Sequence, residues 1–208
     1  MKILVVTQYF WPENFRINDL AREFYKRGHA VTVLTGLPNY PAGYFSPGYG
    51  LSGSYRELYE GVEVIRCPLL PRGSGSGVRL ALNYISFAVM ATLRGLLACR
   101  KDYDVIFVHE PSPMTVGIPA IALKLMTRAP MMLWVLDLWP DSISATQAVR
   151  SPMLLRLIER MVRFIYWHCD RILVQSKAFV SHVERQRVPS EKILYFPSWA
   201  ETIYEAAD

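Results

Sequence analysis

Cysteine is scarce in these 208 residues: Cys67, Cys99 and Cys169 are odd in number and widely spaced. That excludes a disulfide framework and the paired spacing of a structural zinc site, and it fits a reducing compartment. Glycine is missing between Gln8 and Asp19, the stretch that follows the first apolar run. The G-x-G-x-x-G fingerprint is therefore absent where a dinucleotide fold needs it, which argues against nicotinamide and flavin chemistry. Neither a Walker A loop nor a G-x-S-x-G elbow occurs. The opening Met1-Lys2-Ile3-Leu4-Val5-Val6-Thr7-Gln8 turns polar after four apolar residues. This is too early for a signal peptide, so the fold is expected to begin at once, in the cytoplasm. A strong excess of one charge is lacking too. The net +5 is spread along the chain without a recognition motif, which argues against nucleic acid as a partner.

Core material is plentiful, with 51% apolar and 20% charged residues. Short apolar runs alternate with helical patterns, the signature of a parallel sheet with helical crossovers. The runs predict strands at Ile3–Thr7, Ala30–Thr35, Val62–Arg66, Val105–Val108, Met131–Leu136, Arg171–Val174 and Ile193–Phe196. Helices are expected over Ile17–Arg27, Val78–Arg100, Val116–Thr127, Met153–Trp167 and Lys177–Gln186. Gly28 suits a left-handed cap and Pro152 a first helical turn. Leu37–Gly61 interrupts the alternation with prolines, glycines and five tyrosines. Aromatics such as Tyr40, Tyr44 and Tyr49 favour a packed loop with a binding role over a disordered linker, the alternative being a surface excursion without a ligand. Arg72-Gly73-Ser74-Gly75-Ser76-Gly77 reads as a short flexible link. No repeat or second composition regime is present, so residues 1–208 are expected to form one domain.

In an open α/β sheet, ligands bind beyond the carboxyl ends of the strands near the point where strand order reverses. The segments placed there are rich in polar and aromatic residues. The first strand is followed by Asn14 and Arg16, the fourth by His109-Glu110-Pro111. A histidine so placed can donate a hydrogen bond or relay a proton; the alternative is a satisfied structural residue. After the fifth strand, Asp137 and Asp141 flank Trp139-Pro140. These carboxylates could hold hydroxyl groups while Trp139 stacks on an apolar sugar face, although Asp141 could instead cap the next segment. Asp102-Tyr103-Asp104 has the form of a metal-binding D-x-D but falls at the opposite, amino edge, and is set aside. His29, His168 and His182 are expected to be structural.

Leu80–Cys99 is long enough to cross a bilayer. It lies between two strands of one sheet, however, which favours a buried or partly membrane-facing helix. Arg156, Arg160 and Arg163 share a face of the helix that ends at Trp167. Such a helix fits an anionic lipid surface or, equally, an ordinary solvated stripe.

Several segments together resemble family 4 glycosyltransferases of bacterial surface-polysaccharide synthesis. They are Lys2-Ile3-Leu4-Val5-Val6, Trp11-Pro12-Glu13, Arg27 to Thr35, Pro38-Asn39-Tyr40-Pro41, Val62 to Arg66, His109-Glu110-Pro111 and Asp137-Leu138-Trp139-Pro140-Asp141. The resemblance is greatest to the L-fucosamine and colanic-acid subgroup. It implies a Rossmann-like, doubly wound, mostly parallel α/β sheet of about seven strands, the amino-terminal acceptor-binding half of a GT-B fold. It also implies retaining transfer from a nucleotide sugar, with no metal and no cofactor, to a lipid-linked saccharide acceptor at the inner membrane surface. His109 would face the transferred sugar, with Glu110 beside it. Asn14, Arg16, Asp137, Trp139 and Asp141 would orient the acceptor, and Tyr40 would cover it. On this resemblance the carboxyl-terminal donor domain is expected to be absent, since Phe196 to Thr202 would correspond to the start of the interdomain linker. A non-catalytic, membrane-peripheral binding subunit of a split glycosyltransferase is the other reading.

Overall fold

The computed structural model describes residues 1–52, 55–74, 76–146 and 149–198; Trp199 to Thr202, assigned above to a linker, lie outside them. Eight strands form one sheet in the order β3-β4-β2-β1-β5-β6-β7-β8. They are β1 (Lys2–Val6), β2 (Ala30–Gly36), β3 (Arg56–Tyr59), β4 (Val62–Cys67), β5 (Val105–Glu110), β6 (Met131–Val135), β7 (Arg171–Val174) and β8 (Ile193–Tyr195). All pair in parallel except β3, which runs antiparallel to β4 at the edge. The order reverses between β1 and β5, which places the switch point of a doubly wound sheet there.

The strand count exceeds the expected seven by β3, which lies inside the predicted loop Leu37–Gly61. An edge strand half-exposed along its length has no continuous apolar run to announce it. Its anchors are polar: Arg66 is fully buried on β4 and binds Glu57 of β3, with Nε to Oε1 at 2.7 Å.

Helices cover both faces. Helix α1 (Arg16–Lys26) packs on one side, where Phe10, Ile17 and Leu20 meet Val5, Val33, Phe107 and Trp134. On the other lie α2 (Gly77–Ala98), α3 (Gly117–Thr127) and α5 (Pro152–His168), over Leu4, Val6, Leu34, Ile106 and Val108. A short α4 (Asp141–Ala145), not expected from the sequence, precedes α5, and α6 (Lys177–Arg185) follows β7. Gly28 takes φ +81° at the end of α1, and Pro152 opens α5 behind Ser151, whose Oγ accepts the Leu154 N–H. Helix α2 has the length and apolarity of a membrane span. It nevertheless links β4 to β5 of a single sheet, with Phe87, Ala88, Ala91 and Gly95 buried against it. At Gly95 an added Cβ would meet Leu34 at 3.0 Å and Leu123 at 3.2 Å, so the missing side chain allows the helix its close approach.

At the amino edge, Asp104 accepts the Lys2 backbone N–H at 2.7 Å, and Asp102 pairs with Lys2 and Arg100. The D-x-D acids thus fasten the start of the sheet.

Candidate functional site at the switch point

The connections after β1, β2, β5 and β6 meet at the carboxyl edge, each containing a cis proline peptide: Trp11–Pro12, Tyr40–Pro41, Ser112–Pro113 and Trp139–Pro140. His109, near the end of β5, is buried on the α1 side, its ring centroid 5.5 Å from Trp134 and 6.4 Å from Phe15. Its Nδ1 lies 3.1 Å from Thr7 Oγ1, and that hydroxyl is also 3.0 Å from the Tyr9 carbonyl. The carbonyl can only accept, so Thr7 donates to it, and His109 Nδ1–H donates to Thr7. The tautomer that satisfies both contacts leaves Nε2 as an acceptor. Burial pushes His109 down to about 3, so the ring is neutral near pH 7.

Glu110 points the other way, as successive strand residues must. It is fully buried on the α2–α5 side, where Tyr166 and Asp137 are the ionisable groups that sense it. Neither carboxyl oxygen makes a well-formed hydrogen bond. The Leu136 and Asp137 amides favour its charge, but burial outweighs them and pushes the group well above the usual carboxylate range. His109 and Glu110 are therefore adjacent in sequence yet belong to opposite faces of the sheet.

Beside His109 stand three rings. Tyr9 stacks on Phe15 at 5.0 Å, and Tyr40 tilts against Tyr9 at 5.5 Å and Phe15 at 5.4 Å. Arg72 lies over the Tyr40 ring at 4.9 Å and donates to the Tyr9 hydroxyl at 3.0 Å. The segment read as a flexible link is fastened: Arg72 N–H donates to Asn39 Oδ1 at 3.1 Å, and Gly73 N–H to the Gly43 carbonyl at 2.7 Å. Asn39 and Gln8 both bond the buried Asn83 of α2, at 3.3 and 2.7 Å.

Glu13 ties this crevice together. Its Oε1 accepts the backbone N–H groups of Asn39 at 2.8 Å and Tyr40 at 2.7 Å, and its Oε2 that of Phe10 at 3.3 Å. Burial raises it to about 7 against the pull of these amides.

The remaining sequence-predicted residues are divided. Asn14 is exposed and Arg16, the first residue of α1, is half-buried on the same connection. Tyr40 caps the aromatic cluster. Asp137 accepts from Trp139 Nε1 at 3.0 Å, and Trp139 faces Tyr84 of α2 at 6.2 Å, so this pair lies over the α2–α5 side. Asp141 sits in the first turn of α4 and binds His182 Nδ1 of α6 at 2.9 Å, with Arg185 at 3.6 Å. Its contacts fasten two helices, so Asp137 and Asp141 are not one paired site. On α5, Arg156 and Arg160 are exposed, whereas Arg163 is held by Glu159 at 2.6 Å and Gln186 at 3.1 Å. Trp167 is exposed. The sequence pattern does not mark Thr7, Glu13, Arg72 or Tyr84 as site residues. Among the described residues, no group of three or more metal-ligating side chains gathers.

A doubly wound α/β domain with an aromatic and cationic crevice at its switch point defines the class. A family model, the glycosyl transferase 4-like domain, matches residues 14–199, and the chain belongs to that family. The expected fold, a Rossmann-like half of the GT-B type, is the one observed. Among solved structures, Anabaena Alr3699/HepE in complex with UDP and glucose is 13% identical with a TM-score of 0.54. The alignment covers 95% of this chain and 44% of that one. The same protein in complex with UDP-glucose gives 12%, 0.52, 95% and 43%. At such identity the likeness is one of fold. The chain spans less than half the length of these structures. A search of curated proteins gave no match.

Proposed function

We propose that this chain is the acceptor-binding half of a retaining glycosyltransferase, which moves a sugar from a nucleotide sugar to a lipid-linked saccharide in bacterial surface-polysaccharide synthesis. The observation that carries the reading is the neutral His109, held by Thr7 at the switch point beside the Tyr9–Phe15–Tyr40 cluster. An imidazole with Nε2 free to accept can hold a sugar hydroxyl in place without adding positive charge next to an oxocarbenium-like transition state. The aromatic rings offer apolar faces to the acceptor sugar, and Asn14 and Arg16 on the same connection offer polar contacts. Glu110, fully buried on the other face of the sheet, is a positioning residue for the β5 edge that carries His109. The nucleotide is assigned to a second domain outside these residues, which agrees with the share of Alr3699/HepE that the chain spans. UDP and UDP-glucose, bound by that protein, point to a UDP-sugar as the donor class to try first. No metal or cofactor is required by this scheme. The protein would work peripherally at the cytoplasmic face of the inner membrane, through Arg156, Arg160 and Trp167 of α5.

Sugar transfer by the chain combined with a donor-binding half tests the reading. Replacing His109 by Ala is expected to lower turnover by about a hundredfold while leaving the fold intact. Turnover within twofold of the unchanged protein would reject His109 as a group that touches the substrate.

A further inference from the structure

A groove of about 450 Å³ runs between the amino-terminal halves of α2 and α5, on the face of the sheet opposite His109. Its walls are apolar: Leu80, Ala81 and Ile85 on one side, Leu157, Ile158 and Met161 on the other. The volume is that of a small-molecule site, enough for a stretch of hydrocarbon chain.

The two ends of the groove differ. Toward the amino-terminal turns of the two helices stand exposed apolar side chains, with Val78 74%, Met153 80% and the wall residue Leu157 61% exposed. Exposed Arg79, Arg156 and Arg160 stand on the same two helices. A surface that combines bare apolar groups with cations complements an anionic bilayer rather than water. Inward, the groove reaches Asp137, Ser112 and Tyr84 at the carboxyl edge. The Tyr84 hydroxyl interacts with those of Ser112 and Tyr9, and Tyr9 is bonded to Arg72. Arg72 makes no ion pair among the described residues; a hydroxyl and an aromatic face hold its guanidinium instead. Asp137, the one acid on the lining, is turned toward Trp139 Nε1.

We infer that the groove between α2 and α5 receives one hydrocarbon chain of a membrane lipid, whose anionic head lies toward Arg72. The chain enters from the bilayer side, and the head reaches the crevice that holds the acceptor sugar. This rests on the proposed lipid-linked acceptor and adds where its tail lies.

The probe is farnesyl diphosphate carrying a diazirine at the chain terminus, kept below its micelle concentration and photolysed with the intact chain. Labelled peptides are then mapped by mass spectrometry. Labels are expected on Leu80–Ile85 and Leu154–Met161. Ala81→Trp and Leu157→Trp, at exposed positions on opposite walls, should each cut labelling at least tenfold, and Leu97→Trp at the far end of α2 should leave it unchanged. Arg72→Gln should weaken labelling by the diphosphate about tenfold but not labelling by the farnesol analogue. Labels scattered over the outer helix faces, or unaffected by both groove variants, would overturn the inference. Sedimentation with anionic vesicles, measured in parallel, separates this from the membrane reading. Vesicle binding with no groove labelling rejects the groove alone, and groove labelling without vesicle binding rejects the membrane face alone.

Discussion

Thr7 Oγ1 lies 3.1 Å from His109 Nδ1, a contact that joins the ends of β1 and β5 where the strand order reverses. Thr7 spends its proton on the Tyr9 carbonyl, so the contact fixes which imidazole nitrogen carries hydrogen. The first connection of the fold thereby sets the chemistry of a side chain about a hundred residues away, and the same connection carries Tyr9, Glu13 and Phe15 into the crevice.

Thr7→Val keeps the β-branched shape and removes the acceptor for Nδ1–H. Transfer by the assembled enzyme is expected to fall about tenfold, with Thr7→Ser within twofold of the unchanged protein. A tautomer readout accompanies the rates. In 15N spectra of the imidazoles, His109 should show hydrogen on Nδ1 and no titration between pH 5 and 8, since burial lowers it to about 3. A His109 titration midpoint near 6.5 would contradict the assignment.

Glu13 and His109 give stability opposite dependences on pH. Glu13 is raised from 4.5 to about 7. Between those values the folded state holds a proton that the unfolded state has released, so this contribution declines as pH rises and is flat above about 7. For His109 the unfolded chain takes up a proton below about 6.5 and the folded chain does not, so its contribution declines as pH falls toward 3. The two trends oppose each other between about 4.5 and 6.5. Glu13→Gln keeps an acceptor for Asn39 and Tyr40 and should expose the His109 slope in urea titrations at pH 5 and 6.5. Glu13→Ala strands three amides and should cost about 3 kcal/mol. Parallel pH curves for the unchanged protein and Glu13→Gln would show that Glu13 does not titrate in this range.

Much of the architecture is legible in the sequence because parallel strands are buried on both faces and read as unbroken Val, Ile and Leu runs. The strand β3 and the helix α4 are not, since an exposed edge strand and a single helical turn carry no apolar period. The site is less legible still. His109 stands out at a strand end, but the period of two that places it beside Thr7 also sends Glu110 to the other face. Arg72 adjoins a run of Gly and Ser, so composition marks it as flexible. Contacts that composition does not reveal fix it: its N–H donates to Asn39, the next residue's N–H donates to Gly43, and its guanidinium donates to the Tyr9 hydroxyl. Asp137 and Asp141 share a spacing that suggests a pair until a helical turn begins between them and Asp141 meets His182.

The membrane role proposed for α5 would divide among its arginines. Arg156 and Arg160 are exposed, while Arg163 is held by Glu159 and Gln186. Each arginine near an anionic surface contributes about 1 kcal/mol. The double change Arg156→Gln, Arg160→Gln should therefore weaken partitioning into phosphatidylserine vesicles about thirtyfold at low salt, whereas Arg163→Gln should leave it within threefold. Equal partitioning of the double variant and the unchanged protein would remove α5 from the membrane account.

Two glycines test how tightly the helices of the α2–α5 face are fitted. At Gly117, the start of α3, an added Cβ would stand 2.4 Å from Cγ2 of Ile165, a fully buried residue of α5. Ile165 cannot yield without displacing its neighbours, and overpacking of this kind costs about 1–3 kcal/mol. Gly117→Ala should accordingly lower Tm by roughly 2–4 °C for each kcal/mol lost in a chain of this size. Gly95 differs, because its nearest neighbours, at 3.0 and 3.2 Å, are terminal methyl groups of Leu34 and Leu123. Shifts of a few tenths of an ångström relieve them, and alanine gains about 1 kcal/mol over glycine inside a helix. Gly95→Ala should stay within about 1 kcal/mol of the unchanged protein by thermal melting. A Gly117→Ala variant as stable as the unchanged protein would mean that α3 and α5 are packed less closely than the Ile165 contact requires.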